Sequence, residues 1–316
     1  MPMLEFFAQR LARNKVTVLL FHKVPSVADP MAPHESDLSG FERVLDFLCQ
    51  RYRIIPLQDA IRGLGTGKLP SGSVCLTFDD GYVDWVDGVV PMLERRQAHA
   101  TFYLTTGQFD GMPLWHERIR SAVQHATTPI NGVLMRTLAV ASAGDRQESV
   151  SILERELKYM PLAEREAKLH MLEAATGSDP RKLPRMSADQ VRHIHNRGFA
   201  IGAHTVAHPI LSLSSAAEAR HELGAARETL EAVIGARVDG LAYPNGRKSD
   251  FTAEHIQMAR ETGYSNAVTT EPGAIRSVTS PYLIPRFTPW GPDSLRMLVQ
   301  MSRNLMRTGM TDREQS

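Results

Sequence analysis

Six short apolar runs rich in β-forming residues recur along this chain, and amphipathic stretches separate most of them. The runs are VTVLLF (16–21), SVCLTF (73–78), HATFYLTT (99–106), FAIGAH (199–204), GLAYP (240–244) and NAVTT (266–270). All read as buried strands. Between them, SGFERVLDFLCQRY opens on Ser39 with Glu42 three residues on, the spacing of a capping box, so Ser39 is the expected N-cap. SAAEARHELGAARETLEAVIGA (215–236) and FTAEHIQMARETGY (251–264) are likewise helical, the first stopping at a glycine-containing turn. Strands alternating with helices imply an α/β protein with a mostly parallel sheet or barrel covered by helices.

One region breaks the rhythm. Between about 111 and 185 there are only helical patterns, such as RQESVSILERELKYM and LAEREAKLHMLEAATG. They read as a helical insertion between two core strands. With no repeat, low-complexity tract or long linker, residues 1–316 are expected to form one domain carrying that insertion.

Charge and cysteine content narrow the function classes. The 36 basic and 35 acidic residues give a net charge of +1 and lie dispersed, without the arm or tail that binds a phosphate backbone, so no nucleic-acid partner is expected. The two cysteines fall in an apparent helix (Cys49) and an apparent strand (Cys75), an arrangement that does not suggest a disulfide framework. MPMLEFFAQRLARNK lacks the long apolar core and cleavage site of a signal peptide. No run of about 18 or more apolar residues could span a bilayer. The expected compartment is the cytoplasm. Leu4, Phe7 and Leu11 share a helical face beside Arg10, Arg13 and Lys15, which leaves peripheral membrane contact open against the alternative of a first helix packed on the domain.

The chemistry sits where strands end. CLTFDDGY (75–82) places Asp79 and Asp80 side by side after a strand, although neighbouring strand residues point to opposite faces and close carboxylates oppose each other's ionisation. A cation or a proton-transfer task would make the pair useful. GAHTVAHPIL (202–211) supplies His204 at another strand end and His208 four residues on, a spacing that puts two imidazoles on one helical face. Two histidines and an aspartate suit zinc or a similar divalent ion with a position left for water. A plain Asp-Asp-Gly turn and a capped helix start are the bland alternatives, and the coincidence of the two motifs argues against them.

At these residues the chain resembles the polysaccharide deacetylases, carbohydrate esterase family four. TFDDGY and HTVAHP are similar to that family's first two signatures. The resemblance implies an incomplete, distorted (β/α) barrel, with Asp79 as general base and Asp80, His204 and His208 as ligands of one divalent metal, Zn2+ first among the candidates. The third signature is only partly matched in LAYPNGR (241–247), where Ala242 replaces the usual arginine and Asn245 the usual aromatic residue. The Asn245 N–H can still serve an oxyanion, because a backbone donor survives a side-chain change. Arg286, in LIPRFTPW, is the expected substitute for the arginine, and Arg247 a weaker one. No histidine follows Arg286 to supply the family's acid, but LLFHKV ends the first run with His22. That resembles the circularly permuted, poly-N-acetylglucosamine deacetylase branch and makes His22 the expected acid, with a structural role as the alternative. Tyr82, Trp115, His116, Tyr243 and Trp290 are candidate sugar contacts.

The implied reaction is hydrolysis of the N-acetyl group of an N-acetylated amino sugar, in a glycan, a precursor or a glycoside. The alternatives are a metal-dependent amidohydrolase acting on a non-sugar amide, and a glycan-binding protein that kept the fold without the chemistry.

Overall fold

A computed structural model of the chain describes residues 12–310 except 30, 33–34, 67–71, 110, 112, 290 and 292–293. Leu4, Phe7, Leu11 and Arg10, named above for a membrane-facing helix, lie outside the described residues. All six apolar runs contain strands: β1 (Val16–Phe21), β3 (Ser73–Phe78), β4 (Thr101–Leu104), β5 (Ala200–Ala203), β6 (Gly240–Ala242) and β7 (Asn266–Val268). Two further strands, β2 (Arg53–Ile54) and β8 (Ala274–Ile275), are two residues long, too short to leave a periodic signal in sequence.

The sheet runs β7-β6-β5-β4-β3-β1-β8, with β2 beside β3. Every neighbouring pair from β1 to β7 is parallel, and only β8 runs antiparallel to β1. The arc curls until its ends meet across residues 284–287. There Ile284 N–H donates to Ala267 O at 3.0 Å, and Phe287 N–H to Val18 O at 2.9 Å. The result is a distorted (β/α) barrel whose last stave is an irregular segment.

Strand alternation sorts the side chains. Val18, Cys75, Tyr103, Ala242, Val268 and Ile284 share a buried cluster inside the ring. Leu19, Leu76, Phe78, Phe102, Ile201 and Leu241 point the other way, into the larger core under the helices. Gly202 is obligatory on the inner face, because a Cβ there would lie 2.3 Å from the Tyr103 ring.

Helices α1 (Leu38–Arg51), α2 (Leu57–Thr66), α3 (Val90–Arg95), α7 (Ala188–Asn196), α8 (Ala216–Ile234), α9 (Ala253–Thr262) and α10 (Ser294–Met306) surround the sheet. The N-cap of α1 is Asp37, whose carboxylate accepts the Gly40 N–H at 2.8 Å, and Ser39 lies inside the first turn. The expectation of Ser39 is corrected: both residues are good caps, and Asp37 won by standing where the chain is still extended. Ser215 caps α8 in a full capping box with Glu218, and Gly235 ends it in the left-handed conformation.

Between β4 and β5 lie α4 (Trp115–His125), α5 (Ala143–Lys158) and α6 (Leu162–Thr176). They pack a core of their own around Ile119, Val123, Leu153, Leu157, Leu169 and Leu172. Buried Arg118 ties α4 to α6, donating to Glu173 and Glu166 at 2.6 Å each. No helix among the described residues is long and apolar enough to cross a membrane, and both cysteines are free thiols.

Candidate active site

Parallel register brings the strand ends level. Phe21 pairs with Phe78, so His22 and Asp79 follow side by side, and Asp79 N–H donates to Phe21 O at 3.0 Å. Leu104 pairs with Ala203, and His204 N–H donates to Leu104 O at 2.8 Å. By alternation, His22, Asp79 and His204 each continue the inward-facing set of their strand.

Asp80 has the opposite parity and reaches the same site through its backbone, which turns at φ 87°. Thr205, His208 and Asn245 also have positive φ, at 65°, 53° and 58°. Only two other described non-glycine residues do, Asn14 and Gln97, so this uncommon backbone is concentrated at the strand ends that carry the motifs. Buried partners hold it in place. Gln108 Nε2 donates to Asp80 O. Glu222 Oε2 accepts the N–H groups of Val206 and Ala207 at 2.8 and 2.9 Å. Arg165 donates to the carbonyls of Ala207 and His208 at 3.0 and 3.2 Å.

Asp79 is gripped by Arg286, with Nη1 and Nη2 each 2.6 Å from one carboxylate oxygen. Arg286 is 1% exposed, and it also donates to Thr269 O and Thr77 Oγ1, so the fork is fixed on both sides. Ala242, on the strand where the motif arginine would sit, leaves room inside the ring, and the guanidinium arrives from residues 284–287 instead.

One ligand atom from each of Asp80, His204 and His208 lies within 4.8 Å of the others. His204 Nδ1 is 2.8 Å from Ala242 O, which fixes Nδ1 as a protonated nitrogen and turns Nε2 inward. Its Nε2 stands 3.4 Å from Asp80 Oδ1 and 3.8 Å from Asp79 Oδ2. His208 Nε2 is 3.7 Å from the same Asp80 oxygen, and its buried Nδ1 has no hydrogen-bond partner. Burial would push the Asp80 carboxyl up, but the His204 hydrogen bond and the imidazoles of His22, His116 and His208 hold it well below the usual carboxylate range. Burial, then the neighbouring His204, holds the His208 imidazole well below its ordinary value, in the neutral form that binds metal. An ionised aspartate, the neutral His208 with its unpartnered nitrogen, and His204, whose pKa burial would lower but Asp79 and Asp80 raise so that a cation would displace its proton, fit a divalent ion of the zinc type.

These groups stand on the wall of a cavity of about 780 Å³, which is also lined by His22, Tyr82, Trp115, His116, Asn245 and Arg247. Tyr82 OH lies 2.6 Å from His116 Nε2, which is itself 3.8 Å from Asp80 Oδ2. Trp115 is 7% exposed, its ring under the Arg165 guanidinium at 5.1 Å. Tyr243 does not belong here: it is 0% exposed and stacks on Phe251 with centroids 4.0 Å apart. Its neighbour Ala242 points into the ring, so alternation sends Tyr243 outward to the helices, and the expectation of a sugar contact is corrected. Trp290 lies outside the described residues.

Arg165, Gln108 and Glu222 carried no local signal, since each supports a motif from another element. The insertion also adds Arg120, Ser151, Glu154, Arg155, Lys158 and Tyr159 to the cavity wall.

A family model described as polysaccharide deacetylase matches residues 66–129 and 153–267. Over 262 residues the chain is 21% identical to YxkH of Bacillus subtilis (strain 168), a protein provisionally named a polysaccharide deacetylase; the match covers 82% of this chain and 66% of that longer one. Among solved structures, the Streptococcus pyogenes deacetylase PplD, in complex with acetate, superposes with a TM-score of 0.61 at 18% identity, covering 91% of this chain and 98% of its own. IcaB from Ammonifex degensii gives 0.60 at 16% identity, with 92% and 97% covered.

Proposed function

This chain belongs to the polysaccharide deacetylase family, and from that premise we propose that it is a metal-dependent hydrolase removing the N-acetyl group from an N-acetylated amino sugar. The observation that carries the reading is the convergence of Asp80, His204 and His208 beside an arginine-clamped Asp79, on the wall of a cavity large enough for a sugar.

Asp80, His204 and His208 would hold Zn2+, which when bound supplies Lewis-acid polarisation of the amide carbonyl and a more acidic water. Arg286 orients Asp79, and Asp79 takes the proton of the attacking water. The Asn245 N–H donates to the oxyanion as the carbonyl carbon becomes tetrahedral. His22, facing Asp79 from the first strand, gives its proton to the amine nitrogen as the C–N bond breaks. Acetate and a free amino sugar leave. Tyr82, His116 and Trp115 form the wall against which the sugar ring rests.

The test is acetate release from a panel of N-acetylhexosamine oligomers and glycosides, using chelated, zinc-restored and Asp79→Asn protein. Zinc-dependent release that vanishes in the variant supports the reading. Zinc binding without acetate release from any sugar overturns it, in favour of a non-sugar amide or a binding function.

A further inference from the structure

Beyond the candidate reaction centre, the cavity is walled by charges from the insertion and from the third-motif loop. Most are paired. Arg120 donates to Glu35 at 2.9 Å and to Glu154 at 3.4 Å. Arg155 is 3.6 Å from the adjacent Glu156 and largely exposed. Lys158 and Arg247 differ: among the described residues, neither side chain has a carboxylate at ion-pair distance, and both line the cavity. Two acidic groups act on Lys158, but buried Asp250 is already engaged by the backbone N–H of Arg247 at 3.1 Å and the Ser249 hydroxyl at 3.0 Å, and Glu154 accepts from Arg120 at 3.4 Å.

Their placement follows from the fold. On α5, Val150, Leu153 and Leu157 face the core of the insertion. Helical spacing then puts Ser151, Glu154, Arg155 and Lys158 on the adjoining stripe, and all four line the cavity. Arg247 comes from the other side, two residues after Asn245 on the loop leaving β6. Two cations from separate elements thus line the cavity that Asp79 and Asp80 also line, near enough for Arg247 to act on the Lys158 ammonium. Burial, then the nearby Arg247, outweighs the Asp250 and Glu154 carboxylates and draws the Lys158 ammonium below its ordinary value. An anion between them would relieve that repulsion, and the Arg247 guanidinium offers it a two-pronged donor.

We propose that Lys158 and Arg247 form a subsite for an anionic substituent, a phosphate or a carboxylate, carried by the sugar whose N-acetyl group lies at Asp79 and Asp80. The proposal rests on the deacetylase reading for the position of the sugar. It makes the substrate a charged acetamido sugar, and makes the insertion and the loop leaving β6 together the source of that selectivity.

Calorimetric titration of zinc-loaded protein tests it with three probes: methyl N-acetylglucosaminide, N-acetylglucosamine 1-phosphate and an N-acetylhexosaminuronate. The wild type is expected to prefer at least one anionic probe over the neutral glycoside by roughly tenfold or more, the scale of a charge-assisted contact. In the Lys158→Gln/Arg247→Gln variant the ratio of anionic to neutral affinity should collapse toward unity, with each single variant intermediate. The favoured anionic probe identifies the group as phosphate or carboxylate. A ratio near unity in the wild type, or a preference that survives the double variant because the anion sits on the zinc, overturns the proposal. Acetate release from the same probes separates the two readings. Release without an anionic preference removes the subsite and leaves the reaction; preference without release removes the reaction and leaves an anionic-sugar site.

Discussion

Arg286 and Asp79 form a two-pronged ion pair with both partners almost fully buried, and such a pair is costly to break from one side. Removing one partner leaves the other charge stranded in the interior. Arg286→Ala should therefore lower unfolding stability by about 3–5 kcal/mol, read as a shifted denaturant midpoint. An unchanged midpoint would mean that water reaches Asp79 and that the clamp is weak. Asp79→Asn keeps the shape and removes the proposed proton acceptor. It should reduce kcat by about 10²–10⁴ while zinc content stays that of the parent; equal loss of zinc would instead place Asp79 among the ligands.

At the level of elements, support for the loop that carries His204 and His208 comes from parts of the chain far from it. Arg165, on α6 of the insertion, holds the carbonyls of Ala207 and His208. Burial draws its guanidinium down to about 10, so it keeps its charge at neutral pH. Arg165→Leu should weaken zinc binding by about 10- to 100-fold, the usual effect of losing an outer support of a ligand, with little change in helix content. Competition titration against a chromophoric chelator reads this directly, and an unchanged zinc affinity would show that the loop is held by Glu222 and by the Thr205 hydroxyl, which accepts the His208 N–H at 3.2 Å. On the strands, Gly202→Ala would force a methyl group against the Tyr103 ring, with backbone on the far side at 3.1 Å. Overpacking of that kind costs about 1–3 kcal/mol, visible as a lower Tm.

For the whole molecule, zinc held as proposed by Asp80, His204 and His208 would compete with protons for the same buried set. Burial would lower the His204 imidazole, but Asp79 and Asp80 outweigh it and raise its pKa above the ordinary value. A metal ion must displace that proton. Affinity should therefore be full above the raised pKa and fall as pH drops through it, beginning above about 6.5 and steepening toward tenfold per unit. Zinc titrations between pH 5 and 8 check this, and a flat profile would mean that His204 is already neutral without metal. Because an ion bound only by the folded chain stabilises it by mass action, saturation at about 100 times Kd should add about 2.7 kcal/mol. Chelation should remove that increment reversibly.

The α/β class, the six core strands and the paired motifs were legible in the sequence because each depends on local pattern: apolar runs of strand length and chemistry at strand ends. Asp79, Asp80, His204 and His208 could be named for that reason, and the resemblance extended the list to His22 and Asn245. Arg286 was named from a gap in a motif, but only the tertiary structure put it on Asp79, because closing the ring through residues 284–287 is a long-range event with no periodic signature. Tyr243 shows the converse. It adjoins a motif in sequence, yet a strand sends alternate residues to opposite faces, and which face looks into the ring is decided by the curl of the whole sheet. The sequence by itself determined which residues could do chemistry. The fold decided which of them share a cavity, and which supports, from Arg165 to Lys158 and Arg247, the insertion and the loops bring to it, because those contacts form between segments far apart along the chain.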